Sequence, residues 1–154
     1  MLHDVCIQNL PVLFAIDRAG LVGSDAETHH GIFDISFLSL VPGMNIMAPK
    51  NLWELQAYRG LEEFRAPIEY GKAEMLYEES DIALFALGSM VSTGEHVREK
   101  LKAKGHACTL VNARFVKPLD TDMIDHLCKD HKLIVTMEEN VLRGGMGMYV
   151  TKYI

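Results

Sequence analysis

VLFAIDRAGLVGSDAETHHG, Val12 to Gly31, is the stretch whose reading decides the fold. Val12 to Ile16 is a continuous apolar run between Pro11 and Asp17, the pattern of a strand covered on both faces. It delivers Asp17 and Arg18 to a glycine-punctuated loop that presents Asp25, Glu27, Thr28, His29 and His30. In open α/β sheets ligands bind at the carboxyl ends of strands, where a rigid scaffold supports loops free to vary. A loop so crowded with polar groups is therefore the candidate site.

Working outward, Met1 to Asn9 reads as the end of a helix running into Pro11, with Leu2, Val5 and Cys6 at helical spacing. Its abrupt beginning suggests that upstream sequence of the fold is absent. Gly31 to Leu40 reads as a short helix and Met44 to Ala48 as a second short strand. Pro49 opens another helix, with Leu52, Trp53 and Leu55 expected on its inner face. Glu62 to Pro67 is charged and turn-rich, a linker. Beyond it Asp81 to Ala86 reads as a strand, and Val91 to Lys104 as a helix closed by Gly105. The polar face of that helix is expected to hold Glu95, Arg98, Glu99, Lys102 and Lys104. Cys108 to Asn112 is the next strand, Arg114 to Pro118 a connection, and Asp120 the cap of a helix reaching about Lys129. Leu133 to Met137 is a further strand, and Gly144-Gly145-Met146-Gly147 opens the last helix. Strand and helix alternate, so the expected class is α/β, with parallel-type sheets covered by helices.

Composition narrows the function classes. The 154 residues are 49% hydrophobic and 23% charged, as in a globular protein with a real core. A net charge of -6 without any basic run argues against a nucleic-acid or membrane-surface partner. No apolar run approaches the ~20 residues that span a bilayer, and no signal-peptide pattern opens the chain. Cys6, Cys108 and Cys128 are too few and too scattered for a disulfide framework, which points to a reducing cytoplasm.

The run FAIDRAGLVGSD, then ETH, FDISFL, VPGMNIMAPK, NARFVKPLD and EEN with GGMG, closely resembles the 1-deoxy-D-xylulose-5-phosphate synthase family of the transketolase superfamily. The motifs recur in the family's order over nearly the whole chain. The resemblance implies a truncated form: residues 1–60 as a partial pyrimidine-binding domain, 61–80 as a linker and entering strand, and 81–154 as a transketolase C-terminal-like domain. It also implies an internal shortening. Between Gln56 and Tyr70 a strand and an arginine-bearing motif of the family are missing, and Tyr58-Arg59-Gly60 reads as a remnant.

The family condenses pyruvate with D-glyceraldehyde 3-phosphate, with loss of carbon dioxide, on thiamine diphosphate and magnesium, feeding isoprenoid and thiamine precursor synthesis. By that resemblance Arg18 and Asp25 are substrate-binding residues and His29 is catalytic. Arg18 offers a planar fork suited to a phosphate, although an ion pair with Asp17 or Asp34 would use it equally. His29 suits acid, base or hydrogen-bond roles, with Asp25 placed to orient it; helix capping is the plainer alternative. His29 and His30 have no second cluster at ligand spacing, so no zinc site is expected. His96, His106, His126 and His131 read as structural. Glu138-Glu139-Asn140 ends a strand before a glycine turn whose amides could face an anion, although architecture is the favoured reading.

The family's G-D-G motif for magnesium and diphosphate does not occur, and its activating glutamate would lie upstream. The expectation is therefore that this chain alone binds no cofactor and is inactive. The alternative is an assembly module that forms a homodimer or joins a thiamine-diphosphate-binding subunit.

Overall fold

In a computed structural model, residues 2–21, 23, 30–58 and 68–154 are described. The second half of the chain is built on a four-stranded sheet. Its strands are β2 (Glu74–Tyr77), β3 (Asp81–Ala86), β4 (Cys108–Asn112) and β6 (His131–Met137), in the order β2-β4-β3-β6. β3 runs parallel to both β4 and β6, as strand-helix alternation requires. β2 is antiparallel to β4, so the sheet is mixed rather than purely parallel. Every residue of β4 is buried, the polar Thr109 and Asn112 included, as its central place in the sheet requires.

Three helices cover this sheet: α3 (Met90–Ala103), α4 (Thr121–Asp130) and α5 (Met146–Tyr153). Alternation along β3 divides the core. Leu84 and Ala86 join Val91, Cys108 and Leu110 beneath α3. Ala83 and Phe85 point the other way, toward Ile124 and Leu127 of α4 and Met146 and Val150 of α5. Burying each large side chain there contributes roughly 1.5–3 kcal/mol. Asp120 caps α4 as expected, its Oδ1 accepting from the Met123 amide at 3.2 Å. Its Oδ2 accepts from the Ala73 amide at 2.8 Å, so one buried carboxylate also fixes the approach to β2.

The first part of the chain docks on the α4/α5 face. It carries α1 (Asp34–Leu38), β1 (Ile46–Met47) and α2 (Leu52–Tyr58), and Ile35, Leu38 and Ile46 enter the same core cluster as Phe85. β1 pairs antiparallel with β5 (Phe115–Lys117). The expected connection Arg114 to Pro118 is thus largely a strand. Its partner comes from β1, far away in sequence.

Three other expectations are corrected. Val12 to Ile16 forms no strand, and Val12, Leu13, Phe14 and Ile16 are exposed. A strand exists only through ladder hydrogen bonds to a neighbour, and none pairs this run among the described residues. The inner face of α2 is not Leu52, Trp53 and Leu55, which are all exposed, but Glu54, at 5% exposure. Arg98 is not on the open face of α3: it is buried, its Nε donating to the Cys108 carbonyl and its fork pairing with Glu79. Among the described residues no helix is long and apolar enough to cross a membrane.

Candidate functional site

The loop after Asp17 is pinched at its base. The Gly31 amide lies 3.2 Å from the Arg18 carbonyl and 3.0 Å from the Gly20 carbonyl, donating to both. A side chain at Gly31 would meet the Arg18 carbonyl at 2.7 Å, so glycine is required for the neck to close. Arg18 has φ +56° and is exposed, and Gly20 has φ +82° and is buried. Burial pushes the Asp34 carboxyl, just beyond the neck, above the usual range. Asp25 and His29 lie outside the described residues, whereas His30 is half-buried beside the neck.

The second half of the chain supplies a wall to this neck. A Cβ on Gly20 would come within 2.7 Å of the Glu139 Cβ, so the D-R-A-G loop rests directly on the E-E-N loop. The Ser89 hydroxyl donates to Glu139 Oε2 at 2.6 Å, and the Val141 amide to the Ile32 carbonyl at 3.1 Å. Asn140, between these contacts, has a buried Oδ1 without a hydrogen-bond partner. The glycine turn does face an anion, and the anion is internal. Glu138 Oε2 accepts from the Met146 amide and Oε1 from the Gly147 amide, both at 2.7 Å. A carboxylate at a helix N-terminus satisfies orphan donors and meets the favourable end of the dipole.

A second polar cluster escaped the sequence reading. Glu54 and Asn112 are buried, and Asn112 Nδ2 donates to Glu54 Oε1 at 3.0 Å. Arg114 spans the two acids, with Nε donating to Glu54 Oε1 at 2.7 Å and Nη2 lying 3.1 Å from Glu74 Oε2. Lys50 Nζ donates to Glu74 Oε2 at 2.5 Å. Burial raises the Glu74 carboxyl, but hydrogen bonds from Lys50 and Asn112 and the Arg114 charge outweigh it and leave the group below its usual range. Two acids and two bases close on one another, so this cluster clamps α2 to the sheet instead of awaiting a charged ligand. The signal in the sequence was N-A-R in NARFVKPLD, a buried amide and a fork with Arg114 in the left-handed region at φ +56°.

The histidines expected to be structural have local partners: His131 Nδ1 lies 3.0 Å from the Leu127 carbonyl, and His96 Nδ1 lies 2.8 Å from that of Ser92. Among the described residues no three histidine, cysteine or acidic side chains converge as a metal site.

Residues 1–59 match the family model of the transketolase pyrimidine binding domain, and residues 71–154 that of the transketolase C-terminal domain. The 1-deoxy-D-xylulose-5-phosphate synthase of Lachnoclostridium phytofermentans is 49% identical across the whole chain, and that of Clostridium acetobutylicum 42%. The chain spans 28% of the length of each. The first alignment runs over 175 positions against 154 residues, so at least 21 positions of that relative have no counterpart here, as an internal shortening requires. Among solved structures, a split gene transketolase described as an inactive beta4 tetramer superposes with a TM-score of 0.75 at 23% identity. It covers 82% of this chain and 49% of its own, a likeness of fold.

Proposed function

This chain belongs to the transketolase family, and on that premise we propose that its residues form the acceptor side and C-terminal part of a 1-deoxy-D-xylulose-5-phosphate synthase. The single observation that carries this reading is 49% identity with a named synthase over the full 154 residues. In the proposal Arg18 takes the phosphate of the aldehyde acceptor by bidentate, charge-assisted hydrogen bonds. Asp25 holds one nitrogen of His29, leaving the other to exchange a proton with a substrate hydroxyl or carbonyl. The pinch between Arg18, Gly20 and Gly31 holds the base of the loop that carries them, and Glu139 supports it from behind.

Thiamine diphosphate, when bound, supplies the electron sink for decarboxylation and carbon-carbon bond formation. The described residues do not fit it: the one helix-terminal anion cradle of the glycine turn is filled by Glu138, and no acidic set converges for magnesium. The cofactor's ligands are assigned in this reading to residues other than the described ones. The setting proposed is the cytoplasm, where Cys6, Cys108 and Cys128 stay as the free thiols seen here.

An assembly role is the second reading, favoured by the exposed apolar run Val12, Leu13, Phe14 and Ile16. Calorimetric titration of the 154-residue chain with thiamine diphosphate and magnesium tests the division of labour. No heat, together with glyceraldehyde 3-phosphate binding that Arg18→Ala abolishes, is the expected outcome. Saturable cofactor binding would overturn the assignment of the ligands elsewhere. Arg18-independent binding of the phosphate ester would remove the acceptor-side reading. A mass that doubles with concentration, with neither ligand bound, would favour assembly.

A further inference from the structure

A cleft of about 410 Å³ opens between the end of α1, β5, the start of α4 and α5. Leu119 and Tyr149 give it an apolar wall over the buried Val116, and Ser39, Thr121 and Tyr153 add polar groups. Two lysines, Lys117 and Lys152, also line it, and none of its lining residues is acidic. Lys117 belongs to the NARFVKPLD motif, and its Nζ donates to the carbonyls of Ser39 at 3.0 Å and Val41 at 2.8 Å. Ser39 is the C-cap of α1 and Val41 follows two residues later, so the ammonium is held in place by carbonyl partial charges and not by a carboxylate. Among the described residues no carboxylate lies in an ion pair with Lys117 or Lys152. Asp122 is paired with Lys72 at 2.6 Å, while Asp125 accepts from the neutral Tyr153 hydroxyl at 3.0 Å and keeps its charge outside the lining. Two lysines and no acid in the lining, in a chain of net charge -6, give the cleft a sign opposite to that of the chain as a whole.

We propose that this cleft binds a small organic anion, an apolar body carrying one phosphate or carboxylate, at a site separate from the loop that holds Arg18. The apolar body lies on Leu119 and Tyr149, and the anionic head is drawn toward Lys117 and Lys152. Neither feature suffices alone, since an exposed lysine holds an inorganic anion weakly and is screened by salt, and a neutral apolar molecule leaves both charges unmatched.

The test is a calorimetric titration of the 154-residue chain with phenyl phosphate, benzyl alcohol and inorganic phosphate. Phenyl phosphate is expected to bind saturably, and the other two at least about tenfold more weakly, a loss near 1.4 kcal/mol. Lys117→Met risks the fold because Lys117 ties down Ser39 and Val41, so the deciding variant is Lys152→Glu on the exposed last turn of α5, with its fold checked by circular dichroism. It should weaken phenyl phosphate by about tenfold or more. Inorganic phosphate binding as tightly as phenyl phosphate, indifference to Lys152→Glu, or no saturation would each overturn the proposal.

Discussion

Replacing Glu54 by alanine should undock α2 from the sheet without melting the sheet itself. The substitution removes the acceptor of Arg114 Nε at 2.7 Å, of Asn112 Nδ2 at 3.0 Å and of the Lys50 amide at 2.7 Å. Breaking a buried pair from one side costs about 3–5 kcal/mol. Here Glu74 still faces Arg114 Nη2 and Lys50 Nζ, so the stranded charge is partly compensated and the expected loss is near the lower bound, about 3 kcal/mol. That is roughly a hundredfold in the unfolding equilibrium. Urea titration measures it, and hydrogen exchange locates it: amides of 46–58 should lose protection while those of β3 and β4 keep theirs. A double-mutant cycle with Arg114→Ala should return a coupling above about 1 kcal/mol. Arg114→Gly should be less harmful than Arg114→Ala by about 1 kcal/mol, since both lose the fork but glycine accepts φ +56° freely. A Glu54→Ala cost under about 1 kcal/mol, or uniform loss of protection, would refute the clamp.

Gly20→Ala should destabilise by at least about 1–2 kcal/mol from its backbone conformation alone. Contact with Glu139 adds to this, and the change would show as a fall in Tm of about 5 °C; an unchanged Tm would mean the two loops do not rest on each other. Glu138→Ala should cost about 1–2 kcal/mol by uncapping α5. It should also free the Met146 and Gly147 amides, so that added inorganic phosphate raises the Tm of the variant more than that of the parent chain; equal responses would contradict the internal-anion reading. The Glu74 carboxyl is depressed in the folded chain, so its contribution to stability is complete above its unfolded value of 4.5 and is lost as pH falls through the lower folded value. Glu74→Gln should flatten the acid limb of stability against pH below that point, and an unaltered limb would exclude Glu74 as its source.

Sequence patterning located β3, α3, β4, α4, β6 and α5 in the second half of the chain because their determinants are local. The apolar run at β3, the glycine after α3, the aspartate before α4 and the glycine turn before α5 each act within a few residues. The first half depends on distant partners. Val12 to Ile16 has the same local pattern as β3, yet nothing in that pattern states whether a neighbour exists to complete the ladder. Periodicity turns α2 the wrong way because Glu54 is drawn inward by Asn112 and Arg114, fifty-eight and sixty residues further on. Arg98 was placed on the solvent side for a similar reason, its buried position depending on Glu79 and the Cys108 carbonyl. At the candidate site Arg18 stands at the neck of its loop, while the wall formed by Glu139 and Asn140 could not be read from spacing, since about 120 residues separate it from Gly20 along an α/β chain.

The inverted orientation of α2 also sets the chain's optical behaviour. Trp53 is the single tryptophan and sits outward at 54% exposure, so its emission samples solvent rather than the core. Ordinary unfolding should therefore move its spectrum little, whereas a protein or second copy settling on the outer side of α2 should shift it to the blue. The molecule carries a native probe of what covers that surface, and is nearly silent on whether the sheet behind it is folded.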